Sequence, residues 1–422
     1  MIGIKKIKAG ALQFVLFIGA IIAVLLMAFV MLSHSHTLFN KKTDITIDLI
    51  QTTDRGMTQS FEQPLETGKT WTLLEESTIG IHTSVQKSFW GMLEKRTVVS
   101  KKGKLKFTKT GLVGHKEENR AALYLQDDNR PMVIAGDAKI NGNAYLPERG
   151  IKIGNIQGFG YSKPQLVYGH QRQSKSRLPE LEKGMVGQLK QLTASGFILA
   201  GNDLRLKTGA MVKNGFQQET QIIQGVNVDL ESISLTGNIM VWASRQIKVF
   251  DTAVLQDVVL IAPEIHIADG VNGNFQALAS EQITVGNNCN LVYPTILAVQ
   301  ETGRFKRNMD MSSEPSLVIN SGSRISGTML FLTGNDAQEF TPDIKIDTDT
   351  VVFGELFCEG YLELKGEVFG SVYTTAFIAM ANGNLYLNHL YNGRIDASLL
   401  PMAYGGLVFS EKSANQVMKW LY

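Results

Sequence analysis

Asp347 and Asp349 occupy alternate positions in the run Ile346-Asp347-Thr348-Asp349, so on an extended chain both carboxylates project to the same side. Two acids placed in this way suit Ca²⁺ ligation or acid–base cleavage of a glycosidic bond. No acidic or basic partner stands at the matching place in the neighbouring stretches, and the pair reads as a solvated turn. His34 and His36 form an H-x-H, which lacks the further ligands a metal site needs. His266 points outward from a strand with no recurring polar constellation around it. Cys289 and Cys358 sit several strand repeats apart, too far to bridge, and read as two buried thiols. The chain holds no phosphate-binding loop, no G-x-S-x-G, no zinc-type cysteine pairing and no dinucleotide fingerprint. No catalytic, cofactor-binding or metal-binding residue is therefore assigned, and the expectation is a protein that is not an enzyme.

What the sequence does contain is periodicity. Ile247-Lys248-Val249, Ile265-His266-Ile267 and Ile283-Thr284-Val285 recur with a step of about 18 residues, each alternating apolar and polar. A second unit reads apolar-x-apolar, a turn, then apolar-x-Gly-x-apolar. Its copies are Leu317, Ile319, Ile325, Gly327, Met329; then Ile344, Ile346, Val352, Gly354, Leu356; then Leu362, Leu364, Val368, Gly370, Val372. Leu385, Leu387, Tyr391, Gly393 and Ile395 give a fourth, less regular copy. One such unit cannot cover its own apolar face, and stacking on its neighbours completes a core. The recurring glycine suits a corner that needs positive φ or close approach of a neighbour.

Lysine and arginine number 41 against 39 acids, a net charge of +2, so no overall field argues for nucleic acid. Residues 11–33 are apolar apart from Gln13, long enough as a helix to cross a hydrocarbon layer of about 30 Å. The run is too long for the core of a cleaved signal, and it reads as an uncleaved anchor. Lys5, Lys6 and Lys8 precede it, while Lys41 and Lys42 follow. The charge bias leaves residues 1–10 in the cytoplasm and the bulk of the chain in the periplasm or cell envelope.

Residues 34–120 are expected to form a membrane-proximal stalk and strand-rich domain. Ile45, Ile47 and Leu49 have strand spacing, whereas Met57 and Phe61 suit a helical turn. Lys101-Lys102-Gly103-Lys104 reads as a hairpin tip, and with Lys95, Arg96 and Lys109 offers a cluster for anionic headgroups or for water. Met132, Ile134, Ile140, Gly142 and Ala144 match the later repeat and mark a first turn. The pattern breaks over residues 147–225, where residues 179–192 suit a short helix with Leu181, Met185, Leu189 and Leu192 on one face. The basic run His170, Arg172, Lys175 and Arg177 just before it is a docking place for a partner or a plain surface loop. Residues 301–315 read as an exposed loop. Residues 410–422 read as an amphipathic helix capping the end of the repeat array.

The repeats at residues 317–329, 344–356 and 362–372 resemble those of the bactofilin-like, polymer-forming β-helix proteins of bacteria. That resemblance implies a right-handed β-helix, a scaffold role near the membrane and no catalytic residues. This chain departs from the family in its length, its spanning segment, its insertion and its terminal cap. Lys8-Ala9-Gly10, followed by Ala11-Leu12-Gln13-Phe14-Val15, resembles the start of a minor pseudopilin or pilin-like protein. The resemblance implies processing after Gly10 and retention of the apolar helix, although Val15 stands where major pilins carry Glu.

The expected fold is mostly β. It comprises an N-terminal transmembrane helix (11–33), a small α+β stalk domain (34–120), and a right-handed parallel β-helix, or β-solenoid, with an insertion (121–409, insertion about 147–225). A capping helix (410–422) closes it. The expected function is a single-pass structural scaffold of the bacterial cell envelope, assembling with protein partners or itself as a minor part of a pilus-like or secretion apparatus. It binds the membrane through residues 11–33. The alternative is a carbohydrate-active or carbohydrate-binding β-helix protein with an envelope polysaccharide as its partner.

Overall fold

The structure, a computed structural model, describes residues 9–73, 80–117, 119–197, 199, 201–205, 207, 209–301, 314–334, 340–410 and 414–421. Most of residues 301–315, expected as a loop, lie outside the described residues. The chain is mostly β and divides into two units. The first holds residues 1–60, 70–85 and 98–108, and the second holds residues 61–69, 86–97 and 109–422.

The first unit is built on α1 (Ala9–Ser60), one unbroken helix of 52 residues. Its first part is exposed apolar surface, long and apolar enough to cross a membrane. The expected boundary at residue 33 is absent. The alternation of Ile45, Ile47 and Leu49 loses to a different period, because Leu49, Thr53, Gly56, Met57 and Ser60 recur every three or four residues and are all buried. Gly56 permits the contact, since a Cβ there would crowd Leu73, Thr83 and Val98. Thr53 Oγ1 lies 2.7 Å from Leu49 O and 2.8 Å from Ser100 Oγ, which lies 2.9 Å from Thr83 Oγ1. A chain of proton donation ending on the Leu49 carbonyl satisfies all three buried hydroxyls.

An antiparallel meander follows, formed by β1 (Thr70–Leu73), β2 (His82–Trp90), β3 (Leu93–Lys102) and β4 (Leu105–Lys116). The last three strands contribute residues to both units. The β3–β4 turn is where the lysine-rich tip was expected, with Gly103 at φ 58°. The five-stranded sheet ends in an unexpected member, the C-terminal strand Ala414–Leu421, antiparallel to β4. The expected capping helix is thus a strand. Val417, Trp420 and Leu421 fit a helical face on paper, but the unpaired edge of β4 recruits their backbone.

The second unit is dominated by a parallel sheet that closes on itself as a barrel. Ile247, Ile265, Ile283, Leu317, Ile344 and Leu362 are successive register partners, each 2 % exposed or less. Ladders of aliphatic side chains fill the interior, and each fully buried one contributes about 1.5–3 kcal/mol. Gly327, Gly354 and Gly370 also stack in register, at φ 146°, 149° and 154°. A Cβ on any of them would fall on the carbonyl oxygen of the layer beneath.

Pairing order departs from chain order. β5 (Ala121–Leu125) lies between strand Glu367–Ala381 and strand Asn143–Leu146, and Gln171–Gln173 follows the latter. Ile140 pairs with Ile395. The sequence-first turn is therefore added to the sequence-last one, correcting the expectation that it begins the array. The expected insertion is shortened, because strands at 171–173, 202–203 and 211–214 join the sheet. Outside it remain the short strands at 151–153, 155–156 and 159–160, which pair elsewhere, and the connection between Gln173 and Asn202. That connection carries α2 (Lys183–Leu192), whose buried Met185, Leu189 and Leu192 pack with Val259, Ile261, Leu278 and Ile296 on the outer face. The fourth repeat keeps only its second half. Ile395 continues the ladder from Val368, whereas Leu385 and Leu387 fold back antiparallel onto Met380 and Ile378.

Candidate functional site

The polar groups weighed in the sequence do not converge. Asp347 takes the Thr348 N–H at 2.9 Å and lies 4.0 Å from Lys345, while Asp349 turns the chain at φ 58°. His34 and His36 are exposed on α1, and His266 is exposed between Lys248 and Thr284. Cys289 and Cys358 are free and buried, and burial pushes both thiols up. His170, Arg172, Lys175 and Arg177 are exposed. Of the lysine-rich cluster, Arg96 is buried and paired with Glu94, Lys109 sits 4.1 Å over the Trp420 ring, and Lys101 and Lys104 are exposed. Among the described residues no three His, Cys, Asp or Glu side chains gather closely enough to hold a metal ion.

A different cluster forms on the outer face of the parallel sheet, at a position the repeat reserves for surface. Strand Val351–Leu364 turns Val352, Leu356 and Cys358 inward and therefore Glu355 outward, between register partners Thr328 and Ser371. Residues 400–410 cover it, leaving the Glu355 side chain 1 % exposed. Its Oε2 accepts the Leu407 N–H at 2.5 Å, and its Oε1 lies 3.5 Å from Arg120 Nε. Arg120, with its side chain 7 % exposed, also donates through Nη2 to Tyr404 O at 3.1 Å and packs over the Tyr404 ring.

The covering segment is tied down along its length. Tyr404 donates its hydroxyl to Gly327 O at 2.9 Å, and Tyr293 donates to Gly405 O at 2.9 Å. Gly406 and His115 exchange backbone hydrogen bonds at 2.9 and 3.0 Å. Ser410 N–H reaches Glu180 O at 2.8 Å, and Glu182 N–H reaches Val408 O at 2.8 Å. Gly406 permits the approach, because a Cβ there would strike the Glu355 carboxylate.

Burial raises Glu355 to about 7, against the opposing pull of Arg120 and the Leu407 N–H. Glu117, nearby, is also pushed up by burial and drawn down by Arg120. Burial holds Tyr373 and Tyr404 well above the usual phenol range and raises Tyr293 as well, so all three stay neutral. This is a buried acid–base knot under the covering segment. A neighbouring cavity, lined by Thr328, Gly406, Leu407 and Met185 among others, leaves about 10 Å³, room for one water.

Aromatic side chains form a second outer ladder. Phe357, Tyr373, Tyr124 and Tyr145 are register neighbours with ring centroids 6.1, 6.3 and 5.3 Å apart. Phe409 of the covering segment packs on Phe357 and Tyr373, which are 1 % and 4 % exposed. A sugar could reach only the Tyr145 end, where Arg172 Nη1 donates to the Tyr145 hydroxyl at 3.3 Å.

Sequence reading missed this cluster because Glu355 occupies a solvent-type slot in the repeat, and Arg120 and Tyr404 lie hundreds of residues apart. No protein-family model, curated protein or solved structure matches this chain.

Proposed function

We propose that this protein is a membrane-anchored structural subunit of the bacterial cell envelope, a minor component of a pilus-like or secretion apparatus. In this reading α1 anchors it with the N-terminus in the cytoplasm, and the parallel stack lies in the periplasm as a right-handed β-helix that docks protein partners. The observation that carries the reading is α1 itself. One helix passes without a break from exposed apolar surface to a face buried on antiparallel strands. An anchor continuous with a domain core transmits position and force, whereas a tethered soluble domain would need only a flexible linker. The pilin-like start at Lys8-Ala9-Gly10 points the same way. Right-handedness follows the near-universal hand of parallel crossover connections, and the steps of about 18 residues suit such a coil.

The polysaccharide reading needs an accessible groove of acidic and aromatic groups. Here the aromatic ladder is covered and the buried acid is consumed by Arg120 and Leu407.

The test is made on the full chain expressed in a bacterium that processes pilin-like precursors. The mature N-terminus is read by mass spectrometry, and cysteines placed at Phe14 and Leu16 are used for cross-linking. Loss of the first ten residues and disulfide-linked products within the membrane are expected. A soluble, unprocessed, monomeric chain that binds envelope glycan would overturn the proposal.

A further inference from the structure

The knot around Glu355 holds more acid than base. Glu355 pairs with the single guanidinium of Arg120 in a place sealed by residues 400–410, and half-buried Glu117 lies near enough to feel the same charge. Every other titratable group facing it is neutral or turned elsewhere. Tyr293, Tyr373 and Tyr404 keep their protons. His115, pushed below its usual range chiefly by burial, lies with Nδ1 3.1 Å from Ala414 O on the C-terminal strand. Across the covering segment, Glu94 and Glu182 line the cavity at Leu407, with Lys87 2.9 Å from Glu94. One Glu355 oxygen has no hydrogen-bond donor, and neither does Arg120 Nε find an acceptor within hydrogen-bond geometry. One oxygen of the acid thus lacks a hydrogen bond where the C-terminal segment clamps the other by backbone.

We propose that residues 400–410, with the strand Ala414–Leu421, form a latch whose hold on the parallel stack is set by a proton on Glu355. With the proton held, Glu355 lies beneath the latch as a neutral acid, and the segment stays seated. When the proton leaves, the buried carboxylate favours the open arrangement, in which water reaches it. The sign follows from linkage. The seated state binds the proton more tightly than the open state, so seating weakens as pH rises from the ordinary carboxylate range to about 7, and the loss is complete above that. Opening would free the β4 edge now paired with Ala414–Leu421 and uncover Phe357 and Tyr373.

Hydrogen exchange on the full chain in detergent tests this, with rates corrected for intrinsic pH dependence. In the native protein, protection of the Val417 to Leu421 amides should fall roughly thirtyfold between about pH 5.5 and 8.5. In Glu355→Gln that fall should vanish while α2 amides keep their protection. Glu117→Gln retains the Glu355–Arg120 pair and removes the competing acid, so it should show a smaller fall than the native chain. It decides the matter if Glu355→Gln does not fold. Native protection that does not change with pH, or a fall of equal size in either variant, would overturn the proposal.

Discussion

Val352 and Glu355 belong to one strand, three residues apart, and follow different rules. Val352 faces inward between Ile325 and Val368, the same kind of residue at the same place in the neighbouring layers. Glu355 faces outward and meets Arg120, Tyr404 and Leu407, none of which belongs to its repeat. The inner side is stabilised by many equivalent apolar contacts, so each layer specifies the next. The outer side is held by single, unlike contacts between distant parts of the chain. The inner side gives the parallel stack its regularity. The outer side fixes where the out-of-order turn at residues 121–146 and the C-terminal segment come to rest.

Removing one member of the outer pair should therefore hurt most. Arg120→Met removes the cation paired with Glu355, and breaking such a buried pair costs about 3–5 kcal/mol. The combined Arg120→Met, Glu355→Leu variant removes both charges and should recover most of that stability. Chemical denaturation of the four members of this cycle measures the coupling. Additive losses would show that the two residues act independently.

The inner side breaks differently. Gly370→Ala places a Cβ against Gly354 O at a φ of 154°, where side chains are rarely tolerated. We expect a loss of about 2–3 kcal/mol in thermal unfolding, with the Arg120–Glu355 cycle unchanged. An alanine variant as stable as the native chain would show that the stacked glycines are dispensable to the corner.

The same contrast explains what could be read from the sequence. Ile247, Ile265 and Ile283, and the Gly327-Gly354-Gly370 series, were visible because repeated neighbours impose repeated residues. Met185, Leu189 and Leu192 were visible because a helix resting on a flat apolar face shows its period. Nothing in the sequence shows that Ile140 meets Ile395, since each matches the apolar pattern of any layer and pattern carries no order. The strand at Ala414–Leu421 was misread as a helix for a related reason. Its conformation is set by the edge of β4, and its spacing alone fits either period. Glu355 was invisible because an acid in an outward slot is ordinary until something covers it.

The smallest expected effect lies in the first unit, where neither rule applies cleanly. Thr53 sits on α1 as a buried polar residue, in a row with Leu49 and Met57 that is otherwise apolar. Its hydroxyl stands between Leu49 O and Ser100 Oγ, and Ser100 in turn meets Thr83. Thr53→Val keeps the shape and removes one link, leaving Ser100 with Thr83 as its partner. A hydroxyl whose neighbour stays satisfied contributes about 1 kcal/mol, so the variant should lose about that much in chemical denaturation. Ser100→Ala should cost more, because it takes away the Thr83 hydroxyl's partner, while Thr53 keeps Leu49 O. If Thr53→Val instead stabilises the protein, the hydroxyl chain serves to set the register of α1 on the strands. Disulfide trapping between cysteines at Thr52 and Val98 would then show a wider range of helix positions in the valine variant than in the native chain.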